Sequence, residues 1–254
     1  MIVIGLGSGR SGTASLAKLL NAQRDSLCFH EMNPSAVRFS GTSRPFLNAI
    51  DEFQAILEGG NPAMLTADLS RGVVASAYDQ LCRMQRVRMI GDIAFYYLTY
   101  VELLARHSPN IRFICLRRDR EQTIQSWIRK SAIERWRSKQ FADRLSSLIA
   151  RQQYHESRNF WMEHDGTRWQ KDPVWDKCFP KFVATTKREA IGMYWDYYYE
   201  QAELLKRRLG EIFRIVDTES LGRPQFQAEL LEYCGIPLAD QIHVGAHIHR
   251  SAAD

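Results

Sequence analysis

Arg10, Ser11, Thr13 and Ser15 put one guanidinium and three hydroxyls into the run Gly5-Leu6-Gly7-Ser8-Gly9-Arg10-Ser11-Gly12-Thr13-Ala14-Ser15. The chemistry this suits is anion binding. Glycines let a backbone turn tightly and approach a ligand. The first N–H groups of a following helix are unpaired and carry the positive end of its dipole, and Arg10 adds a fixed charge with directional donors. Three ligand readings compete for the run. Gly7, Gly9 and Gly12 satisfy the GxGxxG dinucleotide pattern, and Glu31 ends a second apolar run about where a ribose-binding acid stands. Arg10 inside the turn is unusual for that pattern. A triphosphate loop, GxxxxGK[ST], fails because Thr13 follows Gly12 and the lysine is missing. The third ligand is a phosphosulfate, held by a related loop. A glycine turn with no ligand explains the turn but not the arginine and the hydroxyls.

A second basic cluster, Arg117-Arg118-Asp119-Arg120, follows the apolar run Ile111–Leu116, and Ser126 lies in the helix expected next. An arginine at a strand end and a serine eight residues on converge on one anion at the carboxyl edge of a sheet, where open α/β folds bind ligands. Taken by itself, the segment reads equally as a surface Arg118–Asp119 ion pair with Ser126 an ordinary helix residue. With the glycine run it points to a ligand that carries phosphates in two places.

The ordered pair resembles the sulfotransferase family that uses 3′-phosphoadenosine 5′-phosphosulfate (PAPS). Arg10-Ser11-Gly12-Thr13-Ala14 is similar to that family's (K/R)-x-G-T-(T/S/A) loop for the 5′-phosphosulfate. Arg118-Asp119-Arg120 through Ser126 is similar to its R-(D/N)-P-x5-S segment for the 3′-phosphate, with Arg120 in the proline's place. Softer matches are Val174–Cys178, Met193-Tyr194-Trp195, and Val216-Asp217 with Leu221. Bacterial and carbohydrate-type members often carry such an arginine loop. The resemblance implies a P-loop-like α/β fold, sulfuryl transfer from PAPS with PAP as product, and no metal. Donor contacts fall on Arg10, Ser11, Gly12, Thr13, Ala14, Ser15, Arg118 and Ser126.

Sulfuryl transfer, like phosphoryl transfer, needs positioning and neutralisation of charge on the leaving oxygen. Arg10 is expected to supply that neutralisation. The acceptor needs a base. Carbohydrate-type relatives carry a glutamate shortly after the second strand, so Glu31 is the first candidate and His30, beside it, the second. Asp92 follows Val87–Ile90 and Gly91 at another expected strand end and is a third candidate, for base or for orientation. His247 and His249 show no metal-ligand spacing. Weaker alternatives are a P-loop small-molecule kinase, a non-catalytic nucleotide-binding protein of sulfotransferase-like fold, and a Rossmann oxidoreductase.

These residues need a scaffold. Ile2–Gly5, Ser26–Phe29, Val87–Ile90, Ile111–Leu116 and Ile212–Val216 are short β-branched runs of the kind buried on both faces of a parallel sheet. Helical patterns fall between them at 15–22, 97–106, 121–130 and 189–209. The alternation predicts a three-layer α/β domain over 1–254. From 132 to 182 the chain shows no strand pattern and is rich in Trp, His, Arg and Lys. It is expected to form a helical insertion that covers the acceptor site, or a surface helical pair. The 254 residues carry a net charge of +5, too weak for a nucleic-acid surface, and no apolar run reaches the ~20 residues of a membrane span. Five scattered cysteines without a CxxC pair, and an apolar strand from the first residues, predict free thiols and a cytoplasmic protein. The acceptor (small molecule, carbohydrate, lipid or peptide) and the oligomeric state are not legible.

Overall fold

The computed structural model describes residues 1–34, 42–131 and 184–245, with isolated positions between 145 and 182. The predicted insertion at 132–182 and His247 and His249 therefore lie essentially outside the described residues.

Five strands, β1 (Ile2–Leu6), β2 (Ser26–His30), β3 (Met89–Ile93), β4 (Ile111–Arg117) and β5 (Phe213–Asp217), form one sheet. The order is β2-β3-β1-β4-β5, and every pairing is parallel. All carboxyl ends thus lie along one edge, with the first strand in the middle. Alternate residues of β1 feed opposite faces: Ile2, Ile4 and Leu6 enter one core, Val3 the other. That two-sided burial is why the run reads as continuously apolar.

Seven helices are described: α1 (Thr13–Asn21), α2 (Arg44–Leu57), α3 (Gly72–Arg83), α4 (Val101–His107), α5 (Arg120–Ser131), α6 (Lys187–Leu209) and α7 (Pro224–Tyr233). Leu16, Leu19 and Leu20 of α1 and Leu230 and Leu231 of α7 cover one face of the sheet. Phe46, Ile50 and Phe53 of α2, Val101 and Leu104 of α4, and Ile191, Tyr194 and Tyr198 of α6 cover the other. The layering is the predicted α/β sandwich.

Two expectations need correction. The third strand runs from Met89 to Ile93, two residues later than its apolar run suggested. Asp92 therefore sits inside the strand, between Ile4 of β1 and Phe29 of β2, and not beyond its end. Gly91 masked this: a glycine weakens a strand signal, yet a Cβ at Gly91 would collide with the Val3 carbonyl of β1. The helix expected from Tyr97 divides into a 3-10 segment, Phe95–Tyr100, and α4. The helices α2, α3 and α7 were not anticipated.

Candidate active site

The glycine loop leaves β1 at the sheet edge and turns through Gly9 (φ 75°), Arg10 (φ 57°) and Gly12 (φ 87°) into α1. Left-handed backbone is costly for a residue with a Cβ, so at Arg10 the strain marks a position the surrounding structure enforces. Gly12 has a second reason to be glycine, because a Cβ there would lie 2.5 Å from Thr218 Cγ2. No side chain caps α1, and its first turn holds no acid. The N–H groups of Thr13 and Ala14 thus stand at an uncapped helix start at the sheet edge, a setting that favours an anion.

Ser11 departs from its expected role. It is fully buried, its hydroxyl lies beneath Gly7 where a Cβ would strike it, and its carbonyl accepts from Thr218 Oγ1 at 2.6 Å. Its hydroxyl belongs to the underside of the loop, which leaves the backbone N–H as its means of meeting a ligand.

The second motif reaches the first directly. Arg10 Nε donates to Ser126 Oγ at 3.0 Å, and Arg118 Nη1 donates to the Arg10 carbonyl at 3.3 Å. Gln122 Oε1 accepts from Arg118 Nε and Nη2 at 3.2 and 3.1 Å and fixes that guanidinium. Asp119 does not pair with Arg118. Its Oδ1 accepts the Gln122 N–H at 2.9 Å and its carbonyl accepts from Thr123, the behaviour of a helix N-cap. Arg120 stands at the first position of α5, a place proline tolerates, and uses it to form a two-pronged pair with Asp196 of α6, 2.8 Å on each prong. Desolvation of the Arg10 guanidinium, then the charges of Arg118 and Arg129, lower its pKa below the ordinary value, and Glu31 partly offsets them. Three like charges held this close favour an anion among them.

Helix α6 braces the arrangement. Tyr198 OH accepts the Gly7 N–H at 3.1 Å and donates to the Phe95 carbonyl at 3.0 Å. Tyr199 OH donates to the Leu116 carbonyl at 2.7 Å and shares a hydrogen bond with Ser8 Oγ. Trp195 Nε1 donates to the Arg118 carbonyl at 3.2 Å, and from α5 Trp127 Nε1 donates to the Ser8 carbonyl at 3.3 Å.

The three base candidates separate. His30 Nε2 lies 2.9 Å from Thr13 Oγ1, which ties β2 to the start of α1. Glu31 adopts φ 54°, a second strained residue at the same edge. Arg71, just before α3, holds it twice, through the Glu31 carbonyl and through Oε2 at 3.0 Å. Asp92 is completely buried. Its Oδ1 accepts the N–H groups of Met32 and Ile93 at 3.1 and 2.9 Å, and its Oδ2 accepts the hydroxyls of Tyr96 and Tyr97 at 3.1 and 2.8 Å. Burial raises its pKa to about 6, opposed by these hydrogen bonds. Asp92 has no surface to offer a substrate. It anchors the turn that carries Glu31 and Met32.

The ordered pair of anion motifs thus meets at one sheet edge, and the family description "Sulfotransferase family" matches residues 2–194. The chain belongs to the sulfotransferase family. No curated protein is a significant match. Among solved structures, a sulfotransferase from Alicyclobacillus acidocaldarius aligns over 98% of this chain and 86% of its own, at 13% identity and a TM-score of 0.44. The sulfotransferase domain from the curacin biosynthetic pathway aligns over 93% of this chain and 74% of its own, at 14% identity and a TM-score of 0.43.

Within this sulfotransferase the sequence did not expose Arg129, Arg71, or the tyrosine pair of α6. The aromatic richness of α6 was visible, but not its direction. Among the described residues no group of His, Cys, Asp or Glu is arranged to hold a metal ion, and no helix is long and apolar enough to cross a membrane.

Proposed function

We propose that the protein transfers the sulfuryl group of PAPS to an acceptor hydroxyl or amine in the cytoplasm. The observation that carries this reading is the junction of the two motifs: Arg10 bonded to Ser126, with Arg118 on the Arg10 carbonyl. One ligand with phosphates at two places is the anion that suits it. The residues fit such a donor. The uncapped start of α1, through the N–H groups of Gly12, Thr13 and Ala14, with Arg10 and Ser15, faces the 5′-phosphosulfate. Arg118 and Ser126 face the 3′-phosphate.

In the transfer step the acceptor oxygen or nitrogen bonds to sulfur as the bond from sulfur to the bridging phosphate oxygen breaks. The electron pair stays on the 5′-phosphate of PAP, where Arg10 neutralises it. The acceptor proton passes to a base, for which we assign Glu31 through Oε1, the oxygen that Arg71 leaves open. His30, held on Thr13, is the second candidate. Arg71 and Asp92 act by orientation only: one grips Glu31 and the other fixes the next peptide.

Isothermal calorimetry with PAP, ATP and NAD tests the donor. PAP is expected to bind far more tightly than either. Tight ATP or NAD binding with none of PAP would overturn the proposal.

A further inference from the structure

The residue after Glu31 opens a cavity. Met32, Phe46, Ala49, Tyr96 and Tyr97 wall a space of about 270 Å3 between α2 and the segment that follows β3. This lies just under the roughly 300 Å3 at which pockets for drug-sized ligands begin, a size that suits a small molecule. Phe46 packs against Tyr96 and Tyr97 with ring centroids 5.9 and 5.5 Å apart, and stacks on Tyr100 at 4.0 Å. The hydroxyls of Tyr96 and Tyr97 are turned to Asp92. With their hydroxyls so engaged, these tyrosines contribute mainly apolar ring surface to the cavity.

The charges balance. Among the described residues, Arg44 and Glu52 are the two charged side chains of the lining. The carboxylate of Glu52 is already taken by the N–H and hydroxyl of Thr66, at 2.9 and 2.8 Å. Among the described lining residues an anionic sugar polymer would find one cation, Arg44, and no cationic track, and a cation would find no open carboxylate. The cavity is joined to the proposed transfer site by consecutive residues of one turn. His30 touches Thr13 of the donor loop, Glu31 follows, and Met32, whose N–H is fixed by Asp92, is already in the wall.

We infer that the acceptor is a small uncharged phenol or alcohol with an apolar body, seated against Met32, Phe46, Tyr96 and Tyr97 with its hydroxyl toward Glu31. The inference rests on the sulfotransferase reading for its chemistry, whereas the cavity's preference for this ligand class can be measured without any donor.

The probe is 4-ethylphenol, with a hyaluronan tetrasaccharide as the anionic-sugar comparison. Binding to the full chain is followed by ligand-observed NMR, and PAP binding is measured on the same samples. Ala49→Phe fills the cavity from α2. Asn48→Phe closes it from an exposed position that does not burden the core. Each is expected to weaken 4-ethylphenol about tenfold or more and to leave PAP affinity within about twofold, the acceptor wall being separate from the phosphate contacts. With PAPS present, wild type is expected to sulfate 4-ethylphenol and not the tetrasaccharide. Equal phenol binding in wild type and both variants, no phenol binding to wild type, or preferred sulfation of the tetrasaccharide would overturn the inference. Loss of PAP binding with phenol binding intact would remove the donor reading alone and would support the cavity assignment.

Discussion

Arg10 and Ser126 share a 3.0 Å hydrogen bond across 116 residues of chain. One belongs to the loop after the central strand and the other to the second turn of α5, so the bond joins the two anion motifs without any ligand. Arg118, on the Arg10 carbonyl, completes the junction.

Arg118→Ala is expected to weaken PAP by about 10- to 100-fold, the loss of a charge-assisted contact of ~1.5–3 kcal/mol. It should weaken adenosine 5′-phosphosulfate, which lacks the 3′-phosphate, far less. Calorimetry on both ligands decides. Equal losses would show that Arg118 does not meet the 3′-phosphate.

Arg10→Lys keeps the charge but not the planar fork whose Nε reaches Ser126. A drop in kcat of about tenfold or more is expected, because ammonium and guanidinium are not interchangeable at a directed contact. An unchanged kcat would mean that charge alone suffices.

Glu31→Gln should lower kcat by about 100-fold or more, the usual contribution of a positioned base, with PAP affinity retained. The amide oxygen still accepts from Arg71, so the turn is preserved. Undiminished turnover would move the base to His30.

Asp92 links stability to acidity. Its carboxyl titrates at about 6 in the folded protein, against an ordinary value of 3.8 for the unfolded chain. Below both values it is neutral in both states. Between them the unfolded chain releases the proton while the folded chain keeps it, so stability from this group falls as pH rises from about 4 to about 6 and is level above. The two-unit difference corresponds to about 3 kcal/mol. Urea unfolding of wild type and Asp92→Asn at pH 4, 5, 6 and 7 checks this. Relative to the variant, wild type should lose stability across that interval, and a gap that does not change with pH would refute the assignment.

Arg120→Pro restores the residue expected from the family pattern. Proline suits the first position of α5, and the lost partner is the exposed pair with Asp196, so a stability change under about 1 kcal/mol is expected with PAP affinity unchanged. A large fall in PAP affinity would show that the Arg120–Asp196 pair sets the position of Arg118.

The parts of the site legible in the sequence are those whose chemistry is local. Arg10 and Gly12 stand where a loop must turn into the helix that begins at Thr13, and Arg118 lies two residues before the helix that carries Ser126 in its second turn. What stayed hidden depends on tertiary enclosure. Asp92 looked like a strand-end acid because Gly91 broke the apolar run, and only the strands on either side show it buried. Ser11 looked like a ligand donor because it stands in the loop, yet the turn rotates its hydroxyl underneath. Arg71 carries no local sign of its grip on Glu31, since the two meet across 40 residues. The helix α2, with Pro45 in its first turn, had a legible start, but the cavity it closes has no sequence pattern.

Helix α6 also bears on where the protein can be divided. The stretch matched by the family ends at residue 194, one residue before Trp195. A chain cut there keeps the glycine loop and the Arg118–Ser126 segment yet loses Trp195, Asp196, Tyr198 and Tyr199, which fasten them, and the fifth strand as well. The smallest autonomous unit is therefore longer than the signature by which the family is detected, and a shortened version made to that boundary should be insoluble or inert although the glycine loop and the Arg118–Ser126 segment are intact.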